Sequence, residues 1–121
     1  MTQEELVNNL YWYRASTVRV VDGDTADLLL DLGYKIRFEQ RVRLYGLNAP
    51  EVHGATKEAG LKTKGRLAEL IVGKELWVDS IKDSQEKYGR YLVEIWVKSD
   101  TGLKSVNQLL IKEGLAEARS Y

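Results

Sequence analysis

Three stretches between residues 17 and 44 alternate apolar and polar side chains, and each predicts a strand. Val18 and Val20 alternate with Thr17 and Arg19, the period of a half-buried strand. Asp22-Gly23-Asp24 breaks this run with a turn that has glycine at its centre. Ala26, Leu28, Leu30 and Leu32 then face one way and Asp27 and Asp31 the other, up to a turn at Gly33-Tyr34. The third run is the clearest: Ile36, Phe38, Val42 and Leu44 lie on one face, with Arg37, Glu39, Arg41 and Arg43 opposite as a solvated charged face. Gly46 ends it, and Pro50 stiffens the loop that follows. Ahead of these runs, residues 1–11 are polar and read as a loose arm or one short helical turn, leaving 12–121 as the domain.

From Thr56 to Val72 the period changes to that of a helix, with Ala59, Thr63, Leu67, Leu70 and Ile71 on one stripe. Gly60 and Gly65 each cost this helix about 1 kcal/mol relative to alanine, so it must lean on tertiary packing. Gly73 falls where a left-handed C-terminal cap is expected. Leu76 and Val78 predict a fourth strand, and Val93, Ile95 and Val97 a fifth. Asp100-Thr101-Gly102 is a turn. Ser105 and Gln108 form a capping box for a short helix with Val106, Leu109 and Leu110 inward, closed by Gly114. The order β-β-β-α-β-β-α predicts an α+β chain, mainly β: a five-stranded OB-fold Greek-key barrel with two helices. A doubly wound sheet is disfavoured because no helix separates the first three strands.

Composition narrows the chemistry. At 121 residues, 44% hydrophobic and 30% charged, the chain is one ordinary globular domain. Its formal net charge is zero, so any nucleic-acid binding must come from local arginines and lysines. There is no cysteine, which excludes disulfides, thiolate zinc sites and a cysteine nucleophile. His53 is the single imidazole, read as a loop residue, and histidine-pair chemistry is excluded. Trp12, Trp77 and Trp96 are read as barrel wall rather than base-stacking platforms. The N-terminus has no leader-like pattern, and no apolar stretch approaches the roughly 18–20 residues of a membrane helix. A cytoplasmic protein with no membrane association is expected.

Acidic oxygens and guanidinium groups cluster at the turns. Asp22 and Asp24 either bond their own backbone in the turn or offer oxygens to a cation; the spacing is not that of an EF-hand loop. Arg43 ends the third strand, with Asn48 and Glu51 in the loop braced by Pro50. Lys87-Tyr88-Gly89-Arg90 is a basic loop in which glycine admits a close approach and Arg90 suits a phosphate, or else a hairpin turn with flanking charges.

Taken in order, Val21-Asp22-Gly23-Asp24-Thr25, Arg43 with Asn48-Ala49-Pro50-Glu51, Lys87-Tyr88-Gly89-Arg90, and Val106-Asn107 with Glu113-Gly114-Leu115-Ala116 resemble the staphylococcal nuclease family over roughly residues 14–119. The resemblance implies a calcium-dependent phosphodiesterase on an OB-fold barrel, acting on DNA and RNA with low sequence specificity and leaving a 5′-hydroxyl and a 3′-phosphate. It implies that Asp24 and Asn48 hold Ca²⁺ with the Ala49 carbonyl, and that Arg43 and Arg90 bind phosphate. Glu51 would stand near the attacking water, and Lys87 and Tyr88 would contact a terminal phosphate. A monomer acting on DNA or RNA, with no obligate protein partner, is expected.

The chain departs from the family at several places. Asn48 stands where a carboxylate is usual, so weaker calcium binding or a different divalent ion is expected. The segment 25–43 holds a longer hairpin than the best-known member has. That member's longer third helix has no counterpart, and Ser120 and Tyr121 are the nearest candidates for its pocket tyrosines. The physical logic of hydrolysis stands beside the resemblance: a hard cation and two guanidiniums would offset the charge growing on a phosphodiester. A catalytically silent OB module that binds nucleic acid or a protein is the alternative, motivated by Asn48 and the neutral charge. Such a module has no chemical reason to keep Arg43, Glu51 and Arg90 together.

Overall fold

The structure is a computed structural model that describes residues 1–85 and 90–120. Its elements run α1 (Gln3–Asn8), β1 (Trp12–Asp22), β2 (Thr25–Asp31), β3 (Arg37–Leu44) and β4 (Leu47–Asn48). After a 3-10 turn at Gly54–Thr56 come α2 (Lys57–Ile71), β5 (Leu76–Gln85), β6 (Tyr91–Ser99), β7 (Gly102–Ser105), α3 (Val106–Lys112) and β8 (Glu117–Ala118). Strands β1, β2 and β3 form an antiparallel meander, and β5 joins the free edge of β1. β6 pairs antiparallel with β5, while its first residues run parallel to the end of β3, Val42 beside Tyr91 and Leu44 beside Val93. That last pairing closes the five strands into the expected OB-type barrel, with β7 added to the far end of β6.

The seam of the barrel is finished by a side chain. The outer edge of β6 serves β3 up to Val93 and β7 from Trp96 onward. Between them the Asn107 carboxamide stands in for a strand: its oxygen accepts the Ile95 N–H at 3.1 Å, and its nitrogen donates to the carbonyls of Val93 (3.0 Å) and Tyr45 (2.9 Å). A buried backbone donor or acceptor left open there would cost about 1–3 kcal/mol. The core beneath is aliphatic, with Leu28, Leu44, Leu47, Leu67, Ile71, Leu76, Ile95 and Leu110 fully buried. Each contributes roughly 1.5–3 kcal/mol by leaving water.

The structure differs from the sequence pattern in several places. β1 carries irregularities after Thr17 and after Val20. The first inserts Val18 as an exposed residue and turns Thr17 inward, where its hydroxyl reaches the Ile71 carbonyl at 3.2 Å. A strict period of two cannot reveal such a bulge. Leu32, Ile36 and Phe38 are exposed because β3 meets β6 only from Val42 onward. Asp27, assigned to the outer face, is buried beneath Arg19 and Arg41. Gly60, not Ala59, lies on the buried stripe of α2. Helix α1, capped by Thr2, buries none of its residues. β4, β7 and β8 add short strands that the periodicity did not announce. Trp12 and Trp96 pack with ring centroids 6.4 Å apart. No helix among the described residues is long and apolar enough to cross a membrane.

Candidate active site

Glycines bring the turn between β1 and β2 onto helix α2. A Cβ on Gly23 would lie 2.6 Å from the Thr63 methyl and 2.8 Å from the Ala49 Cβ. The glycine between the two aspartates is therefore required by close approach. Thr63 donates its hydroxyl to the Leu115 carbonyl at 2.7 Å, so one helical residue meets the turn and the segment after α3. One turn earlier, a Cβ on Gly60 would lie 2.3 Å from the Glu51 carbonyl oxygen. Helix α2 thus seats both the Asp22–Asp24 turn and the Glu51 loop.

Asp24 is buried at the centre of the resulting cluster. Its Oδ2 accepts the Ala49 N–H at 3.1 Å and an Arg43 Nη2–H at 3.3 Å, and its Oδ1 accepts the Thr25 hydroxyl at 3.0 Å. Arg90 donates to that same hydroxyl at 3.1 Å. Arg43, also buried, donates to the Asn48 Oδ1 and to the Leu47 carbonyl (3.3 Å). Asn48 Oδ1 accepts a second guanidinium, from Arg119 at 3.2 Å. A continuous line of hydrogen bonds therefore runs Arg90–Thr25–Asp24–Arg43–Asn48–Arg119. Arg119 reaches it because β8 pairs with β4 and its own N–H binds the Gly46 carbonyl at 2.8 Å.

The two carboxylates of the turn differ. Burial, and then the Asp24 carboxylate across the glycine, push the Asp22 carboxyl above the usual aspartate range. Burial acts the same way on Asp24, but hydrogen bonds with Asp22 and the Ala49 N–H, and then the Arg43 charge, hold it below that range. Asp22 also accepts the Asp24 N–H at 3.2 Å, so the Asx turn and the carboxylate pair coexist.

Two open pockets flank the line. One of about 300 Å³ is lined by Val21, Asp22, Thr25, Arg41 and Arg90. Another of about 320 Å³ lies between Asn48–Pro50 and Gly114–Glu117. An apolar recess of about 150 Å³, lined among others by Tyr13, Phe38 and Tyr91, carries no charged group among the described residues of its wall. Glu51 is exposed, and its carboxylate makes no hydrogen bond among the described residues. Its backbone carbonyl accepts the Thr56 hydroxyl at 2.9 Å. His53 is exposed beside the 3-10 turn and its side chain makes no capping bond. Lys87 and Tyr88 lie outside the described residues.

The structure thus joins Asp24, Arg43, Asn48, Ala49 and Arg90, and leaves Glu51 in the adjoining loop. Asp22, Thr25 and Arg119 join the site as well. The oxygen-only donors suit a hard divalent cation, and the crowded Asp22–Asp24 pair carries negative charge that a cation would offset. No three His, Cys, Asp or Glu side chains group together among the described residues, and Asn48 spends its oxygen on two guanidiniums. The residues therefore fit a weakly held ion bound by two carboxylates and completed by water.

Residues 41–121 match the family described as staphylococcal nuclease homologue. The chain belongs to that family. It is 32% identical over 114 residues to a micrococcal nuclease of Shigella flexneri, covering 90% of this chain and 60% of that protein. It is 34% identical over 111 residues to a thermonuclease of Staphylococcus hyicus, covering 86% of this chain and 58% of that protein. A relative named Protein ParB, from Escherichia coli, is 33% identical over 113 residues, 89% of this chain and 58% of its own length. The chain therefore spans less than two thirds of each of these relatives. Its staphylococcal nuclease homologue fold carries the Arg43–Glu51 and Arg90 segments within the matched residues, while the Asp22–Asp24 turn precedes them.

Proposed function

We propose that this chain is a divalent-cation-dependent phosphodiesterase that cleaves DNA and RNA with little regard to sequence, with Ca²⁺ as the preferred ion. The observation that carries this reading is the line from Arg90 through Thr25 and Asp24 to Arg43 and Asn48, in a family whose relatives include proteins named nucleases. Asp24 and Asp22, with the Ala49 carbonyl, would hold the cation; Asn48 would serve it only by giving up a guanidinium. When bound, the ion supplies positive charge that offsets charge growing on the phosphoryl oxygens.

The chain's own residues do the rest. Arg90 stands half-buried in the open pocket and would donate two N–H groups to two oxygens of one phosphate in a bidentate grip. Arg43 is buried and holds Asp24 and Asn48 in register. Glu51, exposed in the loop seated on Gly60, orients a water for in-line attack and takes its proton. Contacts to phosphate carry no sequence information, which supports low specificity.

The test is cleavage of single-stranded DNA and RNA by the purified protein with Ca²⁺, Mn²⁺ or Mg²⁺ in turn. Cleavage is expected, and Glu51→Gln and Arg90→Ala each lower the rate roughly 10²–10⁴-fold with an unchanged melting temperature. A folded protein that cuts neither polymer with any of the three ions would overturn the proposal and favour a silent binding module.

A further inference from the structure

One step along β3 from Arg43, a second row of charges crosses the barrel surface. Asp27 on β2 lies beside Arg19 on β1 and Arg41 on β3. Its carboxylate is almost fully covered and is gripped from both sides: Arg41 donates Nε–H to Oδ1 at 2.8 Å and Nη2–H to Oδ2 at 3.2 Å, and Arg19 donates twice to Oδ2 at 3.0 and 2.7 Å. Two guanidiniums share one carboxylate, so the row keeps one positive charge. Arg41 is fixed by this grip, yet its side chain stays 47% exposed.

Arg41 also lines the pocket that holds Arg90. The solvent-facing guanidiniums of that wall are therefore Arg90 and Arg41, since Arg43 is buried against Asp24 and Asn48. Arg41 sits two residues before Arg43, about 7 Å along the strand, so it enters the Arg90 pocket from beside the Asp24 cluster rather than from within it. Asp22, the carboxylate on the same wall, is one of the groups assigned above to the cation.

We infer that Arg41, braced on Asp27, is a second phosphate-binding residue that takes the phosphate next to the scissile one along a single strand. The inference rests on the phosphodiesterase reading and adds to it a contact one phosphate away from the scissile bond. In a Glu51→Gln background, which keeps the strand whole, affinity for a labelled single-stranded oligodeoxythymidine is measured across a salt series with Ca²⁺ present. Arg41→Gln is expected to flatten the slope of log affinity against log salt by about 0.7, the contribution of one single-strand phosphate. Arg19→Gln removes the same charge and also loosens Asp27, but lies off the pocket, and is expected to leave the slope in place. Affinity for a nucleoside monophosphate stays unchanged in both. If Arg41→Gln alone does not fold, the double change Asp27→Asn with Arg41→Gln leaves no buried carboxylate short of a partner and keeps the net charge; the same flattening is expected. Equal slopes for Arg41→Gln and its parent, or equal losses in Arg41→Gln and Arg19→Gln, overturn the inference while cleavage by the wild type keeps the phosphodiesterase reading. A wild type that neither binds nor cuts the strand removes both.

Discussion

The oxygen of Asn48 accepts hydrogen bonds from Arg43 and Arg119, and this fixes what an uncharged amide does at the site. It holds two guanidiniums together without neutralising either, so the cluster keeps more positive charge than a carboxylate would leave it. The same choice withholds a negative ligand from a cation beside Asp24, and ligand charge is a main control on calcium affinity. Asn48→Asp should therefore bind Ca²⁺ about tenfold more tightly, the two arginines screening much of the added charge. Titration calorimetry of both proteins checks this, and an unchanged affinity would mean that position 48 does not reach the ion. Arg119 could not have been assigned to this cluster from the chain's pattern. It arrives by a two-residue strand pairing, β4 with β8, too short to leave a periodic trace.

At the scale of elements, α2 is the platform on which the site is laid. Its three-residue spacing sets Gly60 against the Glu51 loop and Thr63 against Gly23. Gly60→Ala gains helix propensity of about 1 kcal/mol, but its new methyl meets the Glu51 backbone, and the clash costs roughly 1–3 kcal/mol. Gly65 is exposed, and a methyl group added there would meet nothing within 4 Å, so Gly65→Ala should stabilise by about 1 kcal/mol. Thermal melts of the two variants should move in opposite directions, and the Gly60 change should also depress any nuclease rate. Equal stabilisation would show that the loop yields freely. The core stripe of α2, with Gly60 in place of Ala59, and the barrel order were legible in the sequence, because periodicity is a local property; that Asp24, Arg43 and Asn48 meet was expected only through the family resemblance. The bulge at Val18, the reason for Gly60 and the burial of Asp27 were not legible. Each depends on a contact with a segment distant along the chain, and neither propensity nor period encodes such a contact.

For the whole molecule, zero net charge conceals a sorted set of carboxylates. Hydrogen bonds from Arg41 and then Arg19 hold Asp27 below its ordinary range, and Arg66 does the same for Glu113. The stability these two provide is present above the unfolded carboxylate values and is lost as pH falls through their lower native ones. Asp22 and Asp79 carry the opposite sign: burial first, then a neighbouring carboxylate, raises each. They cost stability at neutral pH, and protonation relieves that cost as pH falls through their raised values. The melting temperature should accordingly rise slightly as pH falls from neutral toward the raised Asp22 and Asp79 values, and fall once pH drops below the ordinary carboxylate range of about 4. Asp27→Asn should blunt the acid-side fall; a melting curve that stays flat to lower pH in the parent protein would contradict this account. The pairing of β8 with β4 has a further bearing on synthesis. Asp24 and Arg43 leave the ribosome early, but Asn48 gains its strand partner and Arg119 its place only after residues 117–119 emerge. A growing polypeptide thus cannot assemble the complete cluster until that late segment has emerged.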